Sequence, residues 1–113
     1  MKIEKTYTAV IYVGFLERDT GRVHSLEEAL DVCQEYVDKV GLCVSVEPIW
    51  YIYTGGREPG CAVTMINYPR FPSRDERIRE KSLELAQILL EKFDQYKVSI
   101  VTPQHTYMIG REA

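Results

Sequence analysis

The sequence predicts an α+β domain of the ferredoxin-like type, with a four-stranded antiparallel sheet and two helices on one face in the order β-α-β-β-α-β. Apolar residues alternate along four extended segments and recur at helical spacing in two others. Each helical segment lies between two strands, which is the split βαβ pattern. The length of 113 residues suits one domain. We therefore expect residues 1–113 to form a single ferredoxin-like domain.

Four segments have the alternation and the β-branched or aromatic composition of strands. The run from Thr54 to Gly60 contains three glycines and a proline, so it is predicted to be a long hairpin loop between the second and third strands. Residues 104–109 are predicted to be an extension of the last strand or a short extra strand. The main strands are expected near 6–15, 42–54, 61–68 and 97–102.

Two segments have apolar residues at helical spacing, and each begins with a capping box. Ser25 and Glu28 form the first box, and Gly41 is well suited to a left-handed C-cap. Ser73 and Glu76 form the second box. Helices are therefore predicted near 26–40 and 74–93.

The predicted strands carry apolar or aromatic residues on both faces, whereas two helices can cover only one face. The other face is expected to be covered by a second copy of the chain, by a ligand, or by both. Tyr12 is interpreted as an aromatic residue on this covered face. Closed homo-oligomers are the commonest solution, so we predict that the protein assembles with itself.

Composition excludes several classes of function. The formal net charge of −3 argues against a nucleic-acid partner, which would require an excess of positive charge. No apolar run is long enough for a membrane span, and Met1 to Lys5 are too polar for a signal peptide, so a cytoplasmic location is expected. The three cysteines fit neither a disulfide framework nor zinc spacing. No cofactor and no metal site are predicted.

One segment combines features that favour an anionic ligand. Residues 67–74 join a predicted helix N-terminus, where anions bind readily, to two arginines, an asparagine and two aromatic residues. A further arginine lies in the glycine-rich run at 54–60. The alternatives are a rigid strand-to-helix connection and a plain hairpin loop. The predicted ligand-binding residues are Arg57, Asn67, Tyr68, Arg70, Phe71 and Arg74.

No motif in the sequence fixes a reaction, and no catalytic residue is assigned. His24 and His105 have no partners at metal-ligand spacing. A Cys61–His105 dyad is conceivable in this fold, but unrelated side chains are the preferred interpretation.

Several short segments resemble bacteriophage-encoded proteins of similar length that have no established activity. The resemblance spans nearly the whole chain and implies a host-takeover or anti-defence factor, acting in the host cytoplasm if the chain is phage-encoded. Some such factors are oligomeric sponges that sequester nucleotide immune signals. The segments are Tyr12-Val13-Gly14, Thr20-Gly21-Arg22-Val23-His24, Cys33-Gln34-Glu35-Tyr36-Val37, Val40-Gly41-Leu42-Cys43-Val44 and Ile66-Asn67-Tyr68-Pro69-Arg70-Phe71-Pro72-Ser73.

The leading prediction is therefore a non-catalytic homo-oligomer that binds a small anionic ligand, with a nucleotide signal as the expected class. One alternative is a small enzyme whose site lies between subunits and uses Cys61, His24 or His105. Another is a protein–protein inhibitor that docks an aromatic sheet face onto a host factor.

Overall fold

A computed structural model describes residues 1–111 of the chain. Within them, five strands form one antiparallel sheet in the order β2-β3-β1-β4-β5, and two helices follow β1 and β3 along the chain. The elements are β1 (Thr8–Gly14), α1 (Leu26–Val40), β2 (Ser45–Tyr53), β3 (Gly56–Ile66), α2 (Asp75–Lys92), β4 (Lys97–Val101) and β5 (Thr106–Gly110).

The predicted α+β class with one antiparallel sheet is confirmed, but the four-stranded ferredoxin-like sheet is not matched. A fifth strand lies outside β4 because the chain turns back after Val101. The amide and the hydroxyl of Thr102 both donate to the His105 carbonyl, at 2.8 Å and 2.9 Å, which closes this turn. Ser99 then pairs with Met108. The segment left open as an extension or an extra strand is therefore β5.

Both helices pack on the same face of the sheet, where one cluster of buried residues forms the core. Ala9, Ile11 and Val13 of β1 point into this cluster and are almost completely buried. Burying a large apolar side chain stabilises the fold by about 1.5–3 kcal/mol. The opposite face of the sheet carries no helix, and Tyr12 is only half-buried there.

The predicted limits of α1 are confirmed at both ends. The Glu28 amide donates to Ser25 Oγ at 3.1 Å, so Ser25 caps the helix. Gly41 ends it with a φ of 73°, a conformation that disfavours residues with a Cβ. The carboxylate of Glu28 does not complete the capping box, because it contacts the ring of His24 instead.

The second capping box does not form, and α2 begins one residue later than predicted. Arg74 is the N-cap and makes no side-chain cap hydrogen bond. The Ser73 amide instead donates to Oδ1 of Asn67 at 2.8 Å, while Nδ2 of Asn67 donates to the Lys5 carbonyl at 2.8 Å. Asn67 thus ties the strand-to-helix connection to the start of the chain.

The predicted long loop at 54–60 is wrong, because β3 begins at Gly56. A turn at Thr54 and Gly55 joins β2 to β3, and Gly55 has a φ of 89°. Pairing with β1 extends along β3 only to Gly60, so residues 50–59 form a hairpin that projects past the end of β1. We call these residues the arm. No described helix is both long and apolar enough to cross a membrane.

Candidate active site

A concave pocket lies on the helix-free face of the sheet, where the arm leaves β1. Its volume of about 410 Å³ falls within the usual range for small-molecule sites. Strands β1, β2, β3 and β4 contribute to it, together with the loops after β1 and α2. We call it the far-face pocket. Its lining residues are Tyr12, Gly14, Arg18, Tyr51, Glu58, Gln95, Tyr96, Lys97 and Ser99.

Glu58 is the most unusual residue of the far-face pocket. It is only 8% exposed, and its Oε2 atom has no hydrogen-bond partner. Among the described side chains, the one other buried polar atom without a partner is the hydroxyl of Tyr7. Leaving a buried acceptor unsatisfied costs about 1–3 kcal/mol. A carboxylate held in this way is suited to a ligand that brings a hydrogen-bond donor or a positive charge.

Two glycines provide the space that the pocket needs. A Cβ on Gly14 would lie 2.9 Å from Oε1 of Glu58 and 3.0 Å from Oε1 of Gln95. A Cβ on Gly60 would lie 2.4 Å from the ring of Tyr51. Because side chains do not tolerate such short contacts, these two positions allow the carboxylate and the phenol ring to approach the strands closely.

Tyr51 stands opposite Glu58 across the β2–β3 pair. Its hydroxyl donates to the carbonyl of Cys61 at 2.9 Å and lies 3.4 Å from that of Val13. Burial raises the pKa of Tyr51, so the phenol stays protonated at neutral pH. Tyr51 is therefore an aromatic wall and not a general base.

The other side of the pocket is built by the segment after α2. Nε2 of Gln95 donates to the Leu16 carbonyl at 2.8 Å, which joins this segment to the loop after β1. The hydroxyl of Tyr96 donates to Asp19, and this hydrogen bond raises the pKa of Tyr96. Arg18 and Lys97 add two positive charges to the lining. The pocket thus combines a buried carboxylate, three tyrosines and two cations.

The predicted residues of 67–74 do lie together, but at the other end of β3. The rings of Tyr68 and Phe71 are 6.4 Å apart, and the guanidinium of Arg70 lies 5.8 Å from the Phe71 ring. Arg74 is exposed and forms an ion pair with Glu76 at 3.7 Å. The anion site at this segment stays a prediction.

Arg57 lies far from the other five predicted ligand-binding residues. It lies on the arm, 5.8 Å from the ring of Trp50. Ten residues of extended chain separate it from Asn67, which corresponds to about 30 Å. The six residues therefore do not form one site.

The residues named for the enzyme alternative lie outside the far-face pocket. Cys61 is fully buried on the helix side of β3, and burial raises its pKa to about 12. It pairs with Val13, whereas His105 lies in the exposed turn at the opposite end of the sheet, so the conceivable dyad is absent. His24 is buried outside the pocket lining. Residues 1–111 hold no group of three His, Cys, Asp or Glu side chains able to bind a metal.

A larger groove of about 720 Å³ runs between α1 and α2. It is lined by carboxylates and lysines of both helices around a few apolar side chains, and none of the unpartnered buried polar atoms lies in it. Volume alone would favour this groove, but an unsatisfied carboxylate is the stronger indication of a ligand. We therefore take the far-face pocket as the candidate site.

The sequence reasoning missed every residue of the far-face pocket as a site residue. The sequence predicts Tyr12 only as an aromatic residue on a covered face. The alternation of Cys61, Val63 and Met65 is the signal that could have identified Glu58. If the strand is extended toward its N-terminus, the same alternation places Glu58 on the opposite face. Pro59 and the neighbouring glycines favour a loop, so the strand was not extended.

Two solved structures resemble this fold. One is a phage SAM lyase in complex with S-methyl-5'-thioadenosine, with a TM-score of 0.79 and 19% identity over 94% of this chain and 90% of that chain. The other is a phage SAM lyase in the apo state, with a TM-score of 0.75 and 22% identity over 95% of this chain and 90% of that chain. No protein-family model and no curated protein matches the chain.

These similarities correct the leading prediction. Both neighbours are lyases, and this contradicts the expectation of a non-catalytic binding protein. The small-enzyme alternative agrees better with them, although the residues named for it lie outside the far-face pocket. The resemblance to phage proteins is supported at the level of the fold, since both neighbours are phage proteins.

Proposed function

We propose that this chain is a lyase that cleaves S-adenosylmethionine (SAM) and releases methylthioadenosine. The observation that carries the proposal is Glu58: a buried carboxylate without a partner, in an aromatic pocket, on the fold of SAM lyases. The fold suggests the substrate, and the pocket provides independent chemical support for it.

The lining is complementary to the charges of SAM. The substrate carries a sulfonium and, at neutral pH, an ammonium group, and both suit a carboxylate surrounded by aromatic rings. Glu58 supplies that carboxylate, with Tyr12 and Tyr51 beside it. Arg18 and Lys97 are suited to the carboxylate of the substrate. This zwitterionic pattern differs from the anionic ligand predicted from the sequence.

The proposed reaction breaks the bond between the sulfonium sulfur and the γ-carbon of the methionyl group. The sulfur keeps the electron pair and leaves as neutral methylthioadenosine. The substrate's own carboxylate attacks the γ-carbon, so the four-carbon fragment closes to a lactone without added water. The lining contains no histidine or cysteine, and this route requires no base from the protein. Holding the carboxylate close to the γ-carbon is then the main contribution of the pocket.

Elimination is the second route to the same nucleoside. In it a base removes a proton from the β-carbon, the sulfur again keeps the electron pair, and the remaining fragment is an unsaturated amino acid. Glu58 is the one carboxylate in the lining able to act as that base. The identity of the four-carbon product therefore decides whether Glu58 binds a cation or removes a proton.

We also propose that the protein works as a homo-oligomer. The sheet face that bears the pocket has no helix on it, and the arm exposes Trp50 (61%) and Ile52 (78%). A second copy packed against the arm would cover these two side chains, which lie on the face of the arm opposite Tyr51 and Glu58. Light scattering should give a mass of at least two chains. A monomer would leave the arm available for a different protein, as in the inhibitor alternative.

The biological role follows from the substrate. A SAM lyase in a host cell lowers the SAM available to methyltransferases and to other SAM-dependent enzymes, and we infer an anti-defence role on this basis. The cytoplasmic location stays a prediction. Expression in a bacterial cell should lower intracellular SAM and raise methylthioadenosine.

The direct test is incubation of purified protein with SAM, followed by mass spectrometry of nucleosides and amino acids. We expect methylthioadenosine and homoserine lactone in equal amounts, above the level with heat-denatured protein. Recovery of bound but intact SAM would indicate a binding protein. Neither product nor binding would refute the proposal.

A further inference from the structure

The loop between β1 and α1 is closed around a buried histidine. The Glu17 amide donates to the Arg22 carbonyl, and the His24 amide donates to the Phe15 carbonyl, each at 2.8 Å. The side chain of His24 is only 3% exposed. Its ring stacks on Phe93, with 4.7 Å between the ring centroids. His24 is therefore the inner support of this loop.

Each ring nitrogen of His24 faces a carboxylate. Nε2 lies 2.5 Å from Oε2 of Glu17, and Nδ1 contacts Oε2 of Glu28. A neutral imidazole has one N–H, so only the imidazolium donates to both carboxylates. A hydrogen bond from Thr20, together with His24, lowers the pKa of Glu17, and the bond to His24 lowers that of Glu28. We call Glu17, His24 and Glu28 the clamp.

The clamp is connected directly to the wall of the far-face pocket. Arg18, which follows the first clamp residue, lines the pocket. The next residue, Asp19, accepts a hydrogen bond from the hydroxyl of Tyr96, another lining residue. Gln95 reaches the base of the same loop through its 2.8 Å hydrogen bond to the Leu16 carbonyl. The position of the loop thus sets the position of one side of the pocket.

We propose that the clamp is a positioning device: it fixes the loop so that the Arg18 guanidinium binds the carboxylate of an amino-acid substrate at the pocket mouth. The inference rests on the proposed function, because SAM supplies that carboxylate. A guanidinium binds a carboxylate best through two parallel N–H···O bonds, which need a fixed direction of approach. Holding Arg18 in place before the ligand arrives lowers the entropy cost of binding.

His24 itself does not touch the substrate in this scheme. It is absent from the pocket lining, and its ring is enclosed by Phe93 and the two carboxylates. Its effect therefore passes through Arg18, and it is a positioning residue. This predicts a selective loss, confined to ligands that carry the carboxylate.

The first experiment measures amide hydrogen exchange in His24→Gln and in Glu28→Gln, without any ligand. Glutamine at either position weakens the clamp, and Glu28 is partly exposed, so the second variant should fold even if the first does not. We expect the amides of Glu17, Gly21 and residue 24 to exchange about tenfold faster or more, while those of β1 and β3 stay unchanged. The control is His105→Gln, in the exposed turn after β4. Unchanged exchange in the loop would overturn the clamp.

The second experiment compares the KM of SAM, taken from initial rates of cleavage, with the Kd of methylthioadenosine from calorimetry. Methylthioadenosine lacks the carboxylate. His24→Gln should therefore raise the KM of SAM by about tenfold or more and change the Kd of methylthioadenosine by no more than about twofold. Arg18→Ala should show the same selectivity. The double variant, with His24→Gln and Arg18→Ala together, should bind SAM no more weakly than Arg18→Ala alone, because both substitutions remove the same interaction.

The outcomes separate this inference from the proposed function. Equal losses of affinity for SAM and methylthioadenosine would contradict the positioning of Arg18. Additive losses of SAM affinity in the double variant would contradict it as well. A wild-type chain that binds neither ligand would refute the proposed function and the assignment of a carboxylate to Arg18. In that case hydrogen exchange still decides whether the clamp holds the loop.

Discussion

Replacing Glu58 by glutamine should change stability and binding in opposite directions. The substitution keeps the size of the side chain but removes the charge of a carboxylate that has an unpartnered, buried oxygen. A neutral amide costs less to bury than an unpaired carboxylate, and an unsatisfied polar group costs about 1–3 kcal/mol. We therefore expect the free energy of unfolding to stay equal or to rise by about 1 kcal/mol. For a domain of this size such a rise is about 4 °C in Tm.

The same substitution should strongly weaken the binding of SAM. A hydrogen bond to a charged group contributes about 1.5–3 kcal/mol, so Glu58→Gln should raise the Kd of SAM by about 10- to 150-fold. Methylthioadenosine has no cation to lose, so its Kd should change much less. Because the wild type cleaves SAM, the affinity for SAM is measured as the KM of initial rates, and calorimetric titration gives the Kd of methylthioadenosine. Thermal unfolding followed by circular dichroism gives Tm.

The matched control is Glu47→Gln, which removes an exposed carboxylate of β2 on the same face of the sheet as Glu58. It should leave both Tm and the two affinities unchanged. A lower Tm for Glu58→Gln with unchanged SAM affinity would refute the reasoning, because Glu58 would then be a structural residue with a partner that the pocket geometry does not reveal.

Three further predictions concern the pocket, the clamp and the second candidate segment. Gly14→Ala should slow turnover while the fold is retained, because the new Cβ would lie 2.9 Å from the Glu58 carboxylate; circular dichroism and a product assay check this, and full activity would contradict it. The lowered pKa of Glu17 stabilises the fold above the ordinary value of 4.5, so thermal melts should show this contribution lost as the pH falls below it, and Glu17→Gln should lose less stability than wild type over that interval. Equal losses of stability in wild type and Glu17→Gln as the pH falls would contradict a stabilising role of Glu17 in the clamp. Arg70→Ala tests the sequence-predicted anion site: calorimetry showing weaker ligand binding would place a ligand at 67–74, whereas our proposal expects unchanged SAM affinity.

Local signals were sufficient for the first helix. Ser25 as N-cap and Gly41 as C-cap fix the ends of α1 through interactions within a few residues, and both agree with the structure. The second helix shows the limit of such signals. Ser73 has the right spacing for a capping box, but its amide binds Asn67, which lies in the preceding connection and is itself tied to Lys5. That tertiary contact is not visible in a local window.

The candidate site could not be predicted because it depends on strand register. Glu58 appeared to lie in a loop, since Gly56, Pro59 and Gly60 all favour loops. In the structure these residues instead allow close approach: Gly60 accommodates the ring of Tyr51 against β3. Only the pairing of Tyr51 with Glu58 makes the carboxylate part of a pocket wall.

The two-sided apolar pattern was the most useful functional signal in the sequence. It indicated that the helix-free face would be occupied, and the far-face pocket lies there. The pattern did not indicate what occupies the face, because the same alternation suits a second subunit, a ligand or both. The buried, unpartnered side-chain oxygen of Glu58 distinguishes a ligand site from a plain contact surface.

The central claim is that the far-face pocket catalyses cleavage of SAM. The measurement that tests it most directly is the amount of methylthioadenosine formed per protein chain, with SAM in large molar excess, for wild type and Glu58→Gln. We expect many equivalents of product from the wild type and a rate lower by about tenfold or more from the variant. SAM that stays intact with the wild-type protein, or equal rates for the two proteins, would contradict the account.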